Sequence, residues 1–182
     1  MKKAIAIVEF ATVSAGIKAA DTMAKTANIE IVESRMVCPG KYMIVIAGLL
    51  GAVKVAMEAV KMACGERYIS GFVLGNPHES LLPAFYGTAK VKELHALGIF
   101  ETLDAATAVF AADTAVKTAI VDLIEIRLAK EMCGKSYVAL TGEISAVEAA
   151  IERATEIAKE AGMFVDSCVI ANPDGQLEKF IL

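Results

Sequence analysis

The stretch Val37-Cys38-Pro39-Gly40-Lys41 separates two runs, residues 29–37 and 42–47, that are rich in β-branched and apolar side chains. Both runs have the composition typical of strands. Pro39 disfavours a helical conformation at the residue before it, and Gly40 permits backbone conformations that other residues resist. The stretch therefore predicts a tight connection between two strands, with the Cys38 thiol at its tip.

The elements around this loop occur twice along the chain. The first copy follows the order strand, helix, strand, strand, helix, strand, and ends at the turn Gly75-Asn76-Pro77. The second copy repeats that order with short matching segments: Ala20-Asp21-Thr22 and Ala112-Asp113-Thr114, Lys25-Thr26-Ala27 and Lys117-Thr118-Ala119, Gly40-Lys41 and Gly134-Lys135, Gly48 and Gly142, Asn76-Pro77 and Asn172-Pro173. A repeat of this length is too long for a solenoid unit and predicts a duplicated domain.

Each half has an order of elements that suits a sheet with helices packed on it, so the predicted fold class is α/β (α+β). We expect the two domains at residues 1–88 and 94–182, because Pro83 and Gly87 interrupt the pattern at the join. Duplicated halves can take the places of two subunits in a ring, which predicts a rotational pseudo-symmetry.

The first predicted helix carries Ile17, Ala20, Ala24 and Ala27 at helical spacing, which predicts one apolar face. Lys25 lies in the last turn of this helix, and Lys117 occupies the matching place in the second copy. On residue type alone, both lysines are helix-end cations that interact favourably with the helix dipole.

The composition limits the function classes. The 182 residues carry a formal net charge of −4 and a sequence pI near 5.3, which argues against general nucleic-acid binding because such proteins usually present a basic patch. The hydrophobic fraction is 56% and the mean hydropathy +0.55. The longest charge-free run, between Lys41 and Lys54, is still too short for a membrane span of roughly 20 apolar residues. With no leader pattern at the start, we expect a cytosolic protein with no membrane partner, whose excess apolar surface lies in subunit contacts.

The chain contains four cysteines, at positions 38, 64, 133 and 168, and no Cys-x-x-Cys pair. An intrachain zinc finger or ferredoxin-type cluster is therefore not expected. Cys64 lies in a predicted helix and Cys168 in a predicted strand, where a small buried hydrophobe is the simplest interpretation. Cys133 has either that role or one beside a metal site. Cys38 differs from the other three because it lies on a Pro-Gly loop, and it is a candidate metal ligand.

Neither half contains a catalytic motif. Glu9 and Glu101 lie in apolar strands, but no carboxylate or histidine recurs at a useful spacing from them, so a structural hydrogen bond is the better interpretation. The sequence has no Gly-rich phosphate loop, nucleophile elbow or metal-binding helix motif. It predicts that the protein is not an enzyme, with a small oligomeric α/β enzyme or ligand-binding regulator as the alternative.

The segment Lys25-Thr26-Ala27-Asn28-Ile29, the helix that opens at Gly48 and the turn Asn76-Pro77-His78 resemble the bacterial microcompartment (BMC) shell domain. Two copies in one chain are similar to the tandem-domain shell proteins, which form trimers that mimic the hexamers of single-domain relatives. The resemblance implies two BMC domains, each a small, mostly antiparallel sheet with flanking helices. It also implies a homotrimeric, pseudohexameric tile in the shell of a microcompartment within the cytoplasm, whose partners are its own copies and other shell proteins.

The same resemblance implies roles for single residues. Lys25 and Lys117 correspond to residues at the edges where neighbouring tiles meet. The loop Cys38-Pro39-Gly40-Lys41 is similar to the pore loop of tandem shell proteins from propanediol-utilisation microcompartments, in which three copies of the cysteine hold a [4Fe-4S] cluster on the trimer axis. This implies one cluster per trimer, ligated by Cys38, with Pro39, Gly40 and Lys41 completing the pore loop. Electron transfer across the shell would follow, with an encapsulated redox enzyme as a further partner.

Two features depart from this family. Asn76 and Asn172 stand where single-domain shell proteins commonly carry an arginine that makes edge contacts. Residues 129–132, which match Cys38 in the second half, contain no cysteine. For Cys38 itself, two alternatives remain: a lone zinc ion held by three cysteines, and a metabolite pore without metal.

Overall fold

The computed structural model describes residues 4–130 and 132–182. The chain divides into two compact units, Met1–Pro77 and His78–Leu182, which we call unit 1 and unit 2. Within the described residues, no helix has both the length and the apolar character needed to cross a membrane.

Unit 1 is a sheet with two helices packed on it. Its elements are, in chain order, β1 (Ala4–Phe10), α1 (Val13–Thr26), β2 (Ile29–Val37), β3 (Lys41–Gly48), α2 (Leu50–Cys64) and β4 (Tyr68–Leu74). The strands form a four-stranded sheet in the order β2-β3-β1-β4, and every neighbouring pair is antiparallel.

Unit 2 repeats this plan and adds a short helix at each end. Its elements are α3 (Leu81–Phe85), β5 (Ala96–Thr102), α4 (Ala105–Thr118), β6 (Val121–Leu128), β7 (Ser136–Gly142), α5 (Ile144–Glu160), β8 (Phe164–Ile170) and α6 (Gly175–Ile181). Its antiparallel sheet has the order β6-β7-β5-β8. The predicted duplication and the predicted α+β fold of two small antiparallel sheets with flanking helices are confirmed.

The long helix after the first strand of each unit begins at a capping side chain. Thr12 Oγ1 accepts a hydrogen bond from the Ala15 backbone N–H at 3.3 Å. In unit 2, Asp104 Oδ1 accepts one from the Thr107 N–H, also at 3.3 Å. Each cap satisfies one of the N–H groups that the first turn leaves without a helical partner, so the two helices start at matching places.

The helix α1 buries a different face from the one that the sequence spacing predicts. Ala15, Ala19 and Met23 are buried, whereas Ile17 is 57% exposed. Gly16 lies against Tyr42 of β3 so closely that a Cβ at position 16 would fall 2.3 Å from the tyrosine ring. The small residues of α1 therefore bring the helix close to the sheet, and the apolar face predicted from the spacing of Ile17 is not the face that α1 buries.

The core of unit 1 lies between the sheet and its helices and includes Val8, Phe10 and Ile44. The opposite face of β1 is also buried, and it contains Glu9 at 0% exposure. A carboxylate in such a place requires a cation or hydrogen-bond donors, and Lys41, the first residue of β3, brings one cation to it.

Candidate functional site

The β2–β3 loop presents Cys38 at a hairpin tip. Val37 pairs with Lys41 across the hairpin, which leaves three residues to make the turn. Gly40 adopts a φ of +95°, which a side chain would resist, and its N–H donates to the Val37 carbonyl at 3.0 Å. Cys38 is half-buried, while Pro39 and Gly40 are exposed. The buried Val37 side chain anchors the turn, so the Cys38 thiol lies at the end of a hairpin whose base is packed into the sheet.

Lys41 directs its charge away from the tip and toward the sheet. Its Nζ lies 3.5 Å from Oε2 of the buried Glu9. Unit 2 repeats this pair with Lys135 Nζ 3.8 Å from Glu101 Oε2, although Glu101 is 31% exposed. The Gly40 N–H and the Lys41 ammonium already have partners within the hairpin and the sheet. Neither group is therefore directed at Cys38 to offset negative charge there.

The matching hairpin of unit 2 is longer and carries a different tip. Its strands close where Leu128 pairs with Ser136. Gly134 has a φ of +90°, close to that of Gly40, and Cys133 beside it is exposed with a φ of +52°. Of the stretch 129–132, Glu131 lies outside the described residues. The two hairpins thus share a glycine turn. The first has the pair Cys38-Pro39 at its tip, whereas in the second Cys133 is followed directly by Gly134.

The other two cysteines are less suited to bind metal. Cys64 is half-buried in α2, and desolvation raises the pKa of its thiol. Cys168 on β8 is exposed, so the prediction that it is buried is wrong. Partial desolvation and the nearby carboxylates of Asp166 and Glu101 still raise the pKa of the Cys168 thiol. Because the thiolate is the metal-binding form, a raised pKa weakens both as ligands.

The described residues of one chain do not assemble a metal site by themselves. Within residues 4–130 and 132–182, no three His, Cys, Asp or Glu side chains lie together in a group that could hold a metal ion. Each copy can contribute the single Cys38 thiol, so a multi-cysteine site at this loop requires several chains.

The lysines at the helix ends each pair with an aspartate one turn earlier. Lys25 Nζ lies 2.7 Å from Asp21 Oδ2, and both side chains are mostly exposed. In unit 2, Lys117 forms the same pair with Asp113, which is buried and also accepts the His78 backbone N–H at 2.7 Å. Residue-type reasoning misses the two aspartates, although the repeated Asp-x-x-x-Lys spacing is a usable signal.

A second polar cluster lies on the sheet of unit 2. Tyr137 donates a short hydrogen bond to Glu125, which also accepts from Arg127 at 2.8 Å. Burial, followed by the hydrogen bond to Glu125, raises the pKa of Tyr137 to about 12. Tyr137 therefore stays protonated at neutral pH, and the cluster has the character of a structural network and not of an acid–base pair.

The sequence matches a family model described as "BMC domain" at residues 4–77 and again at 96–173. It is 37% identical over 173 residues to the bacterial microcompartment shell protein PduT of Citrobacter freundii, a match that spans 95% of this chain and 94% of that protein.

Solved structures agree with this match. A microcompartments protein from Desulfitobacterium hafniense DCB superposes with a TM-score of 0.90 at 38% identity, over 98% of this chain and 99% of that one. A fused permuted hexameric shell protein from the RMM microcompartment superposes with a TM-score of 0.62 at 18% identity, over 87% of this chain and 82% of that one, and supports the fold alone. Two BMC domains that together span most of the sequence place the protein in the shell of a microcompartment in the cytoplasm, with a structural role and not an enzymatic one. The chain therefore belongs to the bacterial microcompartment shell proteins, as a tandem member with two BMC domains.

Proposed function

We propose that the protein forms a trimeric, pseudohexameric tile whose central pore holds a [4Fe-4S] cluster ligated by three copies of Cys38. The tile would pass electrons across the shell. The observation that carries this proposal is the position of Cys38 at the tip of a hairpin, where the described residues of its own chain form no metal-binding group.

The duplication supports the trimeric state. Each chain contains two domains with the same strand order, so three chains supply enough domains for a sixfold-like ring. In such a ring, the three Cys38 hairpins are related by a threefold axis. The Cys38 thiol, which each chain offers once, is then present three times around one axis.

The donor set fits an iron–sulfur cluster. Such clusters are held by cysteine thiolates, and the half-exposed Cys38 can offer one from each chain. Pro39 and Gly40 keep the tip narrow, and the Val37–Lys41 pair with the Lys41–Glu9 contact fixes its direction. When bound, the cluster supplies reversible one-electron chemistry, and three protein ligands leave one iron for an exogenous ligand.

The proposal includes partners at the rim and inside the shell. Lys25 and Lys117 end matching helices of the two units, as residues at the edges of a pseudohexagon would. We propose that they contact neighbouring shell proteins there. An encapsulated redox enzyme would exchange electrons with the cluster from the luminal side.

Anaerobic purification followed by iron and sulfide analysis and electron paramagnetic resonance tests the cluster. We expect iron and acid-labile sulfide in the parent protein and neither in Cys38→Ser. Cys168→Ser is the matched control, because it removes an exposed thiol elsewhere and should keep the cluster. Both variants should keep the mass of the parent by light scattering.

Other outcomes would identify the alternatives. Zinc without sulfide in the parent would support a three-cysteine zinc site. A metal-free parent after anaerobic reconstitution would overturn the cluster and leave a pore lined by unmetallated cysteine.

A further inference from the structure

One apolar face of unit 1 is exposed, whereas the equivalent face of unit 2 is covered by other residues of unit 2. Strand pairing fixes the equivalence: Ile31 pairs with Ile46 directly before a register shift in β2, as Leu123 pairs with Leu140 directly before one in β6. Ile31 is 39% exposed, whereas Leu123 is 2% exposed.

Two further apolar positions show the same difference between the repeats. On the face formed by α1 and β2, Ile17, Ile31 and Met36 are 57%, 39% and 67% exposed; the matching Val109, Leu123 and Leu128 on α4 and β6 are 4%, 2% and 1% exposed. We call the exposed surface, formed by Ile17, Ile31 and Met36, the α1–β2 face. An apolar surface of this kind is typical of an interface.

The segment that covers the equivalent face in unit 2 is residues 78–86. Helix α3 packs against β6 and α4, and its Leu81 is only 2% exposed. The backbone N–H of His78 donates to Asp113 Oδ1 at 2.7 Å, which leaves Asp113 at 2% exposure. The apolar helix α3 and the hydrogen bond to the buried Asp113 thus attach residues 78–86 to β6 and α4.

The chain carries a second segment of this kind after β8. Asn172-Pro173-Asp174 repeats Asn76-Pro77-His78, and α6 follows it as α3 follows the first. The two turns have the same local hydrogen bond: His78 Nδ1 accepts from the Ser80 N–H at 3.3 Å, and Asp174 Oδ1 accepts from the Gln176 N–H at 2.9 Å. Leu177, which matches Leu81, is 39% exposed.

We propose that residues 172–178 of one copy dock on the α1–β2 face of a second copy of this chain. Asp21, whose side chain is 60% exposed, takes the place of Asp113 and accepts a hydrogen bond from the backbone N–H of Asp174 of the partner subunit. The occupant is a second copy because the chain itself contains the segment that repeats the one bound in unit 2.

This inference rests on the proposed trimer and specifies its contacts. A contact between a C-terminal segment and the α1–β2 face is heterologous, and it closes into a ring when each copy gives one segment and receives one.

Light scattering on two single variants tests both sides of the contact. Ile17→Asp changes the receiving face and Leu177→Asp the docking segment, and each should lower the particle mass to that of the 19.2 kDa chain. Met62→Asp on α2 is the control, because Met62 is 87% exposed outside this face, and it should keep the mass of the parent. Circular dichroism checks that the variants fold. Folded Ile17→Asp and Leu177→Asp proteins with the parent mass would overturn the proposal.

A cross-link tests the register independently. Asp21→Cys combined with Asp174→Cys should give disulfide-linked dimers and trimers on non-reducing gels, whereas either single variant should not. An oligomeric, iron-containing parent with no such ladder would overturn the docking and leave the cluster standing. A ladder from a parent without iron would leave the docking standing and overturn the cluster. A monomeric parent would overturn both.

Discussion

At the scale of single residues, the contact between Lys41 and Glu9 ties the Cys38 hairpin to the sheet. Glu9 is fully buried, so removal of a nearby cation takes away a compensating charge that water cannot replace there. We expect Lys41→Met to lower the free energy of unfolding by about 1–3 kcal/mol in urea titrations.

The matched control for this prediction is Lys135→Met in unit 2. Glu101, its partner, is 31% exposed and 3.8 Å away, and water compensates a partly exposed carboxylate. The expected loss is below about 1 kcal/mol, as for surface pairs. Equal losses from the two variants would contradict the role given to burial.

Tyr137 provides a pH-dependent test. The fold raises its pKa to about 12, above the ordinary value near 10. The protonated form is thus favoured in the folded state, and this contribution to stability is complete below about pH 10 and lost as the pH rises toward 12. Burial also raises the pKa of Tyr68, so absorbance titration near 295 nm should show more than one tyrosine that ionises late, and Glu125→Gln should shift the Tyr137 part to lower pH. A Tyr137→Phe protein whose late ionisation keeps the full amplitude of the parent would contradict the assignment to Tyr137.

Residue chemistry predicted part of the site. Pro39 restricts the backbone around it and Gly40 permits the positive φ that the turn needs, so the hairpin position of Cys38 follows from the sequence. The exposure of Cys168 does not follow, because alternation in a strand does not say which face of an edge strand other elements cover. The Asp21 and Asp113 partners do not follow from the lysines alone, because each aspartate lies one turn earlier in the same helix.

At the scale of elements, the packing of α1 on β3 depends on a glycine. A Cβ at Gly16 would fall 2.3 Å from the Tyr42 ring, so Gly16→Ala should force the helix or the ring to move and destabilise by about 1–3 kcal/mol. Gly51→Ala in α2 is the control, because open space surrounds that position. It should be neutral or stabilising by up to about 1 kcal/mol. Thermal unfolding of both variants measures the difference, and a Gly16→Ala protein as stable as the parent would contradict the close approach.

Element order was predictable and element faces were not. Alternation, helical spacing and the repeated segments determine the strands and long helices of both units. They do not indicate which face of α1 meets its sheet, because Ile17 satisfies the helical period as well as Ala19 does. The short helices α3 and α6 follow Asn-Pro turns, and five to seven residues carry too little periodicity to be recognised. The domain boundaries at 1–88 and 94–182 stay a prediction.

At the scale of the whole molecule, duplication explains why apolar residues remain exposed. A hydrophobic fraction of 56% exceeds what a small domain needs for its core, and the repeats differ in which of their equivalent apolar positions are covered. Ile17 on α1 fits the sequence pattern of a buried residue because, in the proposed assembly, it is buried by another chain. The same closure that buries it would bring three Cys38 thiols to one axis.

Assembly of tiles into sheets gives the last prediction. Lys25 is 75% exposed at the end of α1, and its pair with Asp21 lies at the surface, so removing the ammonium should cost the fold less than about 1 kcal/mol. If Lys25 contacts a neighbouring tile, Lys25→Ala should keep the trimer in light scattering and reduce the extended sheets visible by electron microscopy. Lys25→Arg retains the positive charge and is the matched control. Lys117→Ala is a less clean test, because it leaves the buried Asp113 without its cation. Sheets from Lys25→Ala that form as readily as those of the parent would show that Lys25 is a helix-end cation and not an edge residue.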